Sequence, residues 1–239
     1  NNTFAMPIAK VAEIIGFENI EGGLENADLK KGVVDFNGVM TAMVRDAKER
    51  VVCRLNNEGG DGAETPFVFD DRSKTLYKGS DSVRNGRFAF SFAVPKDITY
   101  SDGTGMLNIY AVDNSKTRLA NGYNDSFVLN GTLESLRDSV RPSVYCYLNS
   151  TAFCNGDEVN PTPYFVAEIS DENGINSTGT GIGHDLELIV DGEMSKTYVL
   201  NDNFEFDFGS FKRGRLGFSI PELEPGEHKL LFRAWDVLN

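Results

Sequence analysis

Imidazole and thiol groups are scarce in this 239-residue sequence, which holds two histidines, His184 and His228, and three cysteines, Cys53, Cys146 and Cys154. A cysteine nucleophile needs a neighbouring base to form its thiolate. None of the three sits in the Gly-rich, small-residue setting a nucleophile prefers, so no catalytic residue is assigned. The same scarcity leaves no zinc-ligand spacing. Basic residues are outnumbered, 23 Lys and Arg against 36 Asp and Glu, for a net charge of −13. That balance excludes the basic footprint of a nucleic-acid binder. It suits an acidic surface, a cationic partner or a divalent metal. No apolar run approaches the roughly 20 residues of a membrane-crossing helix. Apolar residues nowhere recur at helical spacing over three turns, and no internal repeat is evident.

What the chain has instead is aromatic and β-branched material: 40% of residues are hydrophobic, with 17 Phe and 8 Tyr. Residues 87–94 show period-2 alternation, with Phe88, Phe90, Phe92 and Val94 on one face and Arg87, Ala89, Ser91 and Ala93 on the other. Asn85-Gly86 before it is a tight-turn signal, and Pro95 ends it. Further strands are predicted over 33–44, around a turn or bulge at Asn37-Gly38, and over 51–55, 66–70, 75–78, 106–112 and 126–129. A second set follows Pro142, over 144–148, 164–170, 185–190, 197–200, 203–208, 215–220 and 229–237. In it Phe204, Phe206 and Phe208 alternate with Asn203, Glu205 and Asp207. Short strands joined by turn signals predict an all-β fold of two tandem Ig-like β-sandwich domains. The expected organisation is a linker and first strand over 1–30, one sandwich over 31–136 and a second over 137–239. Cys53 is expected in a core.

Cys146 and Cys154 are spaced as across a hairpin. A disulfide there would add roughly 2–3 kcal/mol in the chain-entropy model, and two inward-facing thiols are the equal alternative. Trp235, in the terminal strand, reads as core.

The most informative stretch runs from Asp171 to Asp185. Rich in Gly, Asn and hydroxyl residues, it reads as a long shaped loop whose glycines allow positive φ, with Asx-turns at its acidic opening. The hairpin after it is expected to turn at Asp191-Gly192. Asp171, Asn173 and Asp185 are the candidate calcium ligands, with turn capping and no ion the preferred reading. No other cofactor is implied. His184 is expected to close the loop by hydrogen bonding and His228 to be a turn residue. Five Asn-x-Ser/Thr sequons, at Asn1, Asn124, Asn130, Asn149 and Asn176, are ordinary turn chemistry.

In this stretch Asp171-x-Asn173-Gly174-Ile175-Asn176, followed by Gly179-x-Gly181-Ile182-Gly183-His184-Asp185, resembles the post-catalytic region of the PorU-type sortases. These are gingipain-like cysteine peptidases of the type IX secretion system in Bacteroidetes. Leu200-Asn201-Asp202, Pro225-Gly226-Glu227-His228 and Ala234-Trp235-Asp236-Val237 are similar to that family too. So are Val34-Asp35-Phe36-Asn37-Gly38, Tyr77-Lys78-Gly79 and the run from Phe92 to Ile98. The resemblance implies that this is a non-catalytic piece of a longer exported protein, at the cell surface or outer membrane of a Gram-negative bacterium. The catalytic Cys and His would belong to a preceding peptidase domain. That domain, outer-membrane attachment proteins and the sorting domains of cargo would be its partners. Asp81-Ser82-Val83 and Asp138-Ser139-Val140 also resemble the short O-glycosylation motif of Bacteroidetes. A surface adhesin or carbohydrate-binding sandwich without a protease is the alternative.

Overall fold

The structure is a computed structural model that describes residues 3–5, 8–10, 17–23, 25–26, 31–32, 34–53, 66–95, 98, 102–129, 140–179 and 183–238. Nineteen strands are defined among them. In chain order they are β1 (Thr3–Ala5), β2 (Ile8–Lys10), β3 (Phe17–Gly23), β4 (Glu25–Asn26), β5 (Lys31–Gly32), β6 (Gly38–Arg45) and β7 (Glu49–Cys53). Then come β8 (Phe67–Asp71), β9 (Thr75–Val83), β10 (Arg87–Ala93), β11 (Met106–Asp113) and β12 (Leu119–Asn124). The last are β13 (Ser143–Leu148), β14 (Tyr164–Ser170), β15 (Glu187–Val190), β16 (Thr197–Val199), β17 (Phe204–Phe206), β18 (Arg213–Ser219) and β19 (Leu230–Arg233). The fold is all-β, in sandwiches of mostly antiparallel sheets.

The first sandwich sets a seven-stranded sheet, in order β5-β4-β1-β12-β11-β6-β9, against a three-stranded sheet, β10-β3-β2. The first five strands are built into these sheets: β1 pairs with β12 in parallel, and β3 runs antiparallel to β10 along the whole of both strands. The Asn85-Gly86 turn switches the chain between the sheets. Both residues have positive φ, 50° and 73°, and Arg84 and Arg87 exchange two backbone hydrogen bonds across them. This is the geometry an Asn-Gly pair favours. Phe88, Phe90 and Phe92 are buried as the alternation predicts. β7 and β8 form a separate two-stranded ribbon. Cys53 lies in it half-buried, not in a core, because among the described residues no other sheet covers the ribbon, and its partner strand β8 is exposed throughout.

The second sandwich sets a four-stranded sheet, β13-β14-β18-β17, against a three-stranded one, β16-β15-β19. Phe165 on β14 meets Phe232 on β19 at 5.4 Å between ring centroids, and Tyr198 on β16 meets Phe218 on β18 at 5.0 Å. Asp191 and Gly192 turn the chain after β15 with φ of 56° and 73°. A single 3-10 turn, Met194–Lys196, then delays entry into β16.

Sequence and structure also part at residues 126–129, at β12 and at Phe208. Residues 126–129 make one isolated bridge, Val128 to Thr104, instead of a strand. β12, whose Leu-Ala-Asn-Gly-Tyr-Asn sequence has poor strand character, is a strand because β11 and β1 flank it. Phe208, expected on the dry face, is 60% exposed, since β17 stops at Phe206 and Gly209 turns away at a φ of 66°.

Candidate functional site

The two sandwiches share one continuous hydrophobic core, and the place where they meet gathers most of the motifs singled out above. β9 is the edge strand of the seven-stranded sheet. Its outer side is taken by the second sandwich: the Gly209 amide donates to the Ser80 carbonyl at 2.8 Å, and Lys78 pairs with Glu205 of β17 at 2.8 Å. Tyr77 is 1% exposed and stacks on Phe90 at 5.3 Å from its own sandwich and on Phe206 at 5.2 Å from the other. Burial first, and the Asp81 carboxylate second, push its phenol up, so it stays neutral. The ring lies over Gly79, where a Cβ would come within 2.4 Å of the Tyr77 hydroxyl. This explains a glycine inside a long strand.

The Asp171 loop is the second half of the junction. Its first part is largely covered: Asp171, Asn176, Ser177 and Thr178 are all buried, while Glu172 is exposed. Asp171 Oδ1 accepts the amides of Asn173 at 2.7 Å and Gly174 at 3.2 Å, the expected Asx-turn. Gly174 then has φ of 112°, and a Cβ there would lie 2.9 Å from Ala93 Cβ of the first sandwich. For this reason Ala93, on the polar side of β10 by alternation, is only 6% exposed. Ile175 bridges Asp236, the Asn176 amide donates to the Trp235 carbonyl at 2.9 Å, and the Val237 amide donates to the Gly174 carbonyl at 3.1 Å. Asn176 Oδ1 accepts the amide and hydroxyl of Thr178. The Ser177 hydroxyl reaches the Leu76 carbonyl of the first sandwich at 3.5 Å. Asn201 closes the set: its Nδ2 donates to the Ser177 carbonyl and its Oδ1 accepts the Leu186 amide. Thus 171–178, 200–202 and 234–237, scattered in sequence, converge. A loop of short polar side chains is buried here because those side chains satisfy its backbone from within.

Asp185, His184 and Trp235 flank this knot. The His184 ring lies 4.9 Å from the Trp235 ring. Asp185 Oδ1 and Trp235 Nε1 are buried without a hydrogen-bond partner among the described residues. Burial, and then Glu187, raise the Asp185 carboxyl, while His184 opposes the shift. Trp235 is half-buried rather than fully in the core. Gly183 has φ of 87° with open space around it, and Gly181 lies outside the described residues. Of the calcium candidates, Asp171 spends one oxygen on its own turn and Asp185 sits by Asn201 and Gly179. Among the described residues no three His, Cys, Asp or Glu side chains are grouped to hold a metal.

The thiols are placed apart. The Cys146–Cys154 disulfide is not formed: both cysteines are free and neither is fully covered, although Cys146 shares the inward face of β13 with Leu148 and burial pushes its thiol up to about 11. β13 pairs with β14, opposing Cys146 to Ala167. Cys154 belongs instead to a loop braced by the Asn149 and Asn160 side chains, and its amide donates to Asp157. His228 is a turn residue, as expected, with both ring nitrogens facing oxygen: Nδ1 at 2.8 Å from Asp191 Oδ2, and Nε2 at 2.7 Å from the Glu224 carbonyl. An imidazole so engaged has no nitrogen left to activate a thiol.

The chain is similar to a stretch of PorU. Against the crystal structure of dimeric latent PorU from Porphyromonas gingivalis it is 31% identical with a TM-score of 0.53, and the match covers 99% of this chain and 23% of that one. It therefore spans less than a quarter of the PorU chain. No protein-family profile and no curated protein matches the sequence. The matched stretch runs through both sandwiches. Missed in the sequence was Tyr77 as a junction residue. Its signal was present, in the Tyr77-x-Gly79 pattern of a large ring two residues from a glycine on the same strand face.

Proposed function

We propose that this chain is the non-catalytic structural and docking region of a gingipain-like cysteine peptidase. That peptidase would act as a type IX secretion sortase, removing C-terminal sorting domains from cargo. The observation that carries the reading is the 31% identity to latent PorU over 99% of the chain. The organisation proposed with it is a sandwich before residue 137, another after it, and a peptidase domain elsewhere in the same polypeptide. The location proposed is the cell surface or outer membrane. Among the described residues no helix is long and apolar enough to cross a membrane. The acidic balance of the chain, net −13, favours a partner with a basic face.

Chemically, the region holds rather than reacts. Its buried polar groups fix one sandwich against the other, and its histidines serve packing and a turn. The test is calorimetric titration of the purified chain with a cargo sorting domain and with each outer-membrane attachment protein, with and without calcium. Binding to one of them is the expected outcome. Peptidase turnover by this chain that needs Cys53, Cys146 or Cys154 would overturn the reading.

A further inference from the structure

The outward face of the seven-stranded sheet lacks the carboxylates of the rest of the surface. β6, β9, β11 and β12 turn Met40, Leu76, Ile109 and Ala120 into the core, and alternate residues point out. Among the described residues, no Asp or Glu stands at an outward position of these strands, in a chain that has 36 of them. The cations of this face are at its margin and engaged. Lys78 pairs with Glu205 of the second sandwich at 2.8 Å, and Arg45 Nε donates to Met43 Sδ at 3.4 Å.

The middle of the face is a checkerboard of rings and amides. β11 and β12 oppose Asn108 to Tyr123 and Tyr110 to Asn121. Each ring thus has one carboxamide straight across the ladder and another two residues away on its own strand. Tyr110 is 47% exposed and Tyr123 is 69% exposed. Among the described residues, none of the four side chains has a hydrogen-bond partner. Beyond Tyr110 the same row continues to Thr41 and Ser80, whose hydroxyls bond each other at 3.1 Å. The two tyrosines are diagonal neighbours, so their Cβ atoms stand about 7–8 Å apart.

We propose that this face binds an uncharged glycan, a short run of neutral pyranose rings lying across β11 and β12. Tyr110 and Tyr123 stack on the C–H faces of the sugar units. Asn108 and Asn121 each offer a donor and an acceptor to the hydroxyls at the sugar rims. Charge selects this class of ligand. A patch without carboxylates, in a chain of net −13, gives a cationic partner nothing to pair with. Its cations lie away from the rings, so an anion gains nothing at the centre either. Polarity argues against a protein at this spot, because the middle of a protein interface is apolar and only its rim is polar. Here carboxamides and a threonine hydroxyl occupy the middle. A packed protein surface would strip water from the carboxamides without matching them, whereas a sugar brings a hydroxyl for each. This inference is independent of the sortase reading, and the basic-faced partner proposed there must dock elsewhere.

The test is calorimetric titration of the purified chain with neutral oligosaccharides of glucose, of mannose and of galactose, at millimolar sugar. One of them should bind. Tyr110→Ala and Tyr123→Ala should each weaken that binding about ten-fold. Tyr110→Phe, which keeps the ring, should lose less than Tyr110→Ala. Tyr145→Ala, at an exposed tyrosine of the second sandwich, should leave binding unchanged. All of these positions are on the surface, so the variants should melt with the parent chain. No binding by any of the sugars would overturn the proposal. So would binding that survives both alanine variants, or that falls equally in Tyr145→Ala. If no sugar binds and a cargo sorting domain is lost in Tyr110→Ala, the face is a protein interface: the proposal fails and the sortase reading stands.

Discussion

Replacing Tyr77 by alanine tests whether the two sandwiches behave as one cooperative body. The ring is 1% exposed and touches Phe90, Phe92 and Phe206. Truncating a buried aromatic of this size costs about 3 kcal/mol or more. The sole tryptophan, Trp235, lies in the second sandwich, whereas Tyr77 lies in the first. Fluorescence in urea therefore reports on the sandwich that was not mutated. With a slope of about 3 kcal/mol per molar urea, the midpoint seen by Trp235 should fall by about 1 M. Far-ultraviolet circular dichroism should fall with it. A cycle with Phe206→Ala should show a coupling of about 1 kcal/mol, in the range of stacked aromatic pairs. If the Trp235 transition stays in place while the dichroism transition splits, the junction is a loose contact and the reasoning fails.

Gly174→Ala should cost about 2 kcal/mol in thermal unfolding, because alanine is strained at a φ of 112° and its Cβ meets Ala93. Adding Ala93→Gly should recover the steric share alone. His228 is held above its ordinary value by the Glu224 carbonyl and then by Asp191. Its contribution is full below the unfolded value of about 6.5 and is lost as pH rises through the higher folded value. Melting curves across that window should flatten in His228→Leu, and an imidazole resonance titrating at or below the unfolded value would refute the clamp. Asp185 has the same sign of pH dependence by the opposite cause: burial favours its neutral form, so ionisation works against the fold as pH rises above about 4. Asp185→Asn should raise the melting temperature at pH 7 and lose that advantage in acid. A fall at pH 7 would mean the charge has a partner.

Period-2 alternation made β10 legible residue by residue, since the phenylalanines of one face needed only a second sheet above them. The Asn85-Gly86 and Asp191-Gly192 turns were legible because positive φ is a local demand. Ala93 and Phe208 were not, because their burial depends on what lies opposite. A neighbouring sandwich covers Ala93, and an early strand end uncovers Phe208. The Asp171 loop shows the same limit more sharply. Its composition marked it as special and its Asx-turn as local, but polar residues without bulky side chains read as solvent-facing. Only the meeting of Asn176 with Trp235, and of Ser177 with Leu76 and Asn201, gives such a segment a dry place to sit. The cysteines misled through spacing alone, because sequence separation does not show which strand pairs with which.

The bond from Gly209 to Ser80 has a bearing on how such proteins can be rebuilt by recombination. A β-sandwich attached through a flexible tether is a cassette that can be cut out and spliced to a new carrier. Here the end of one sheet is finished by the main chain of its neighbour, and Gly174 occupies a hollow that only a small residue at position 93 leaves open. A graft of the second sandwich alone would carry Phe206 and Gly174 to a host lacking their counterparts, and would strip β9 of its cover in the donor. The unit of inheritance is therefore the pair, and a working chimera must cut upstream of both sandwiches.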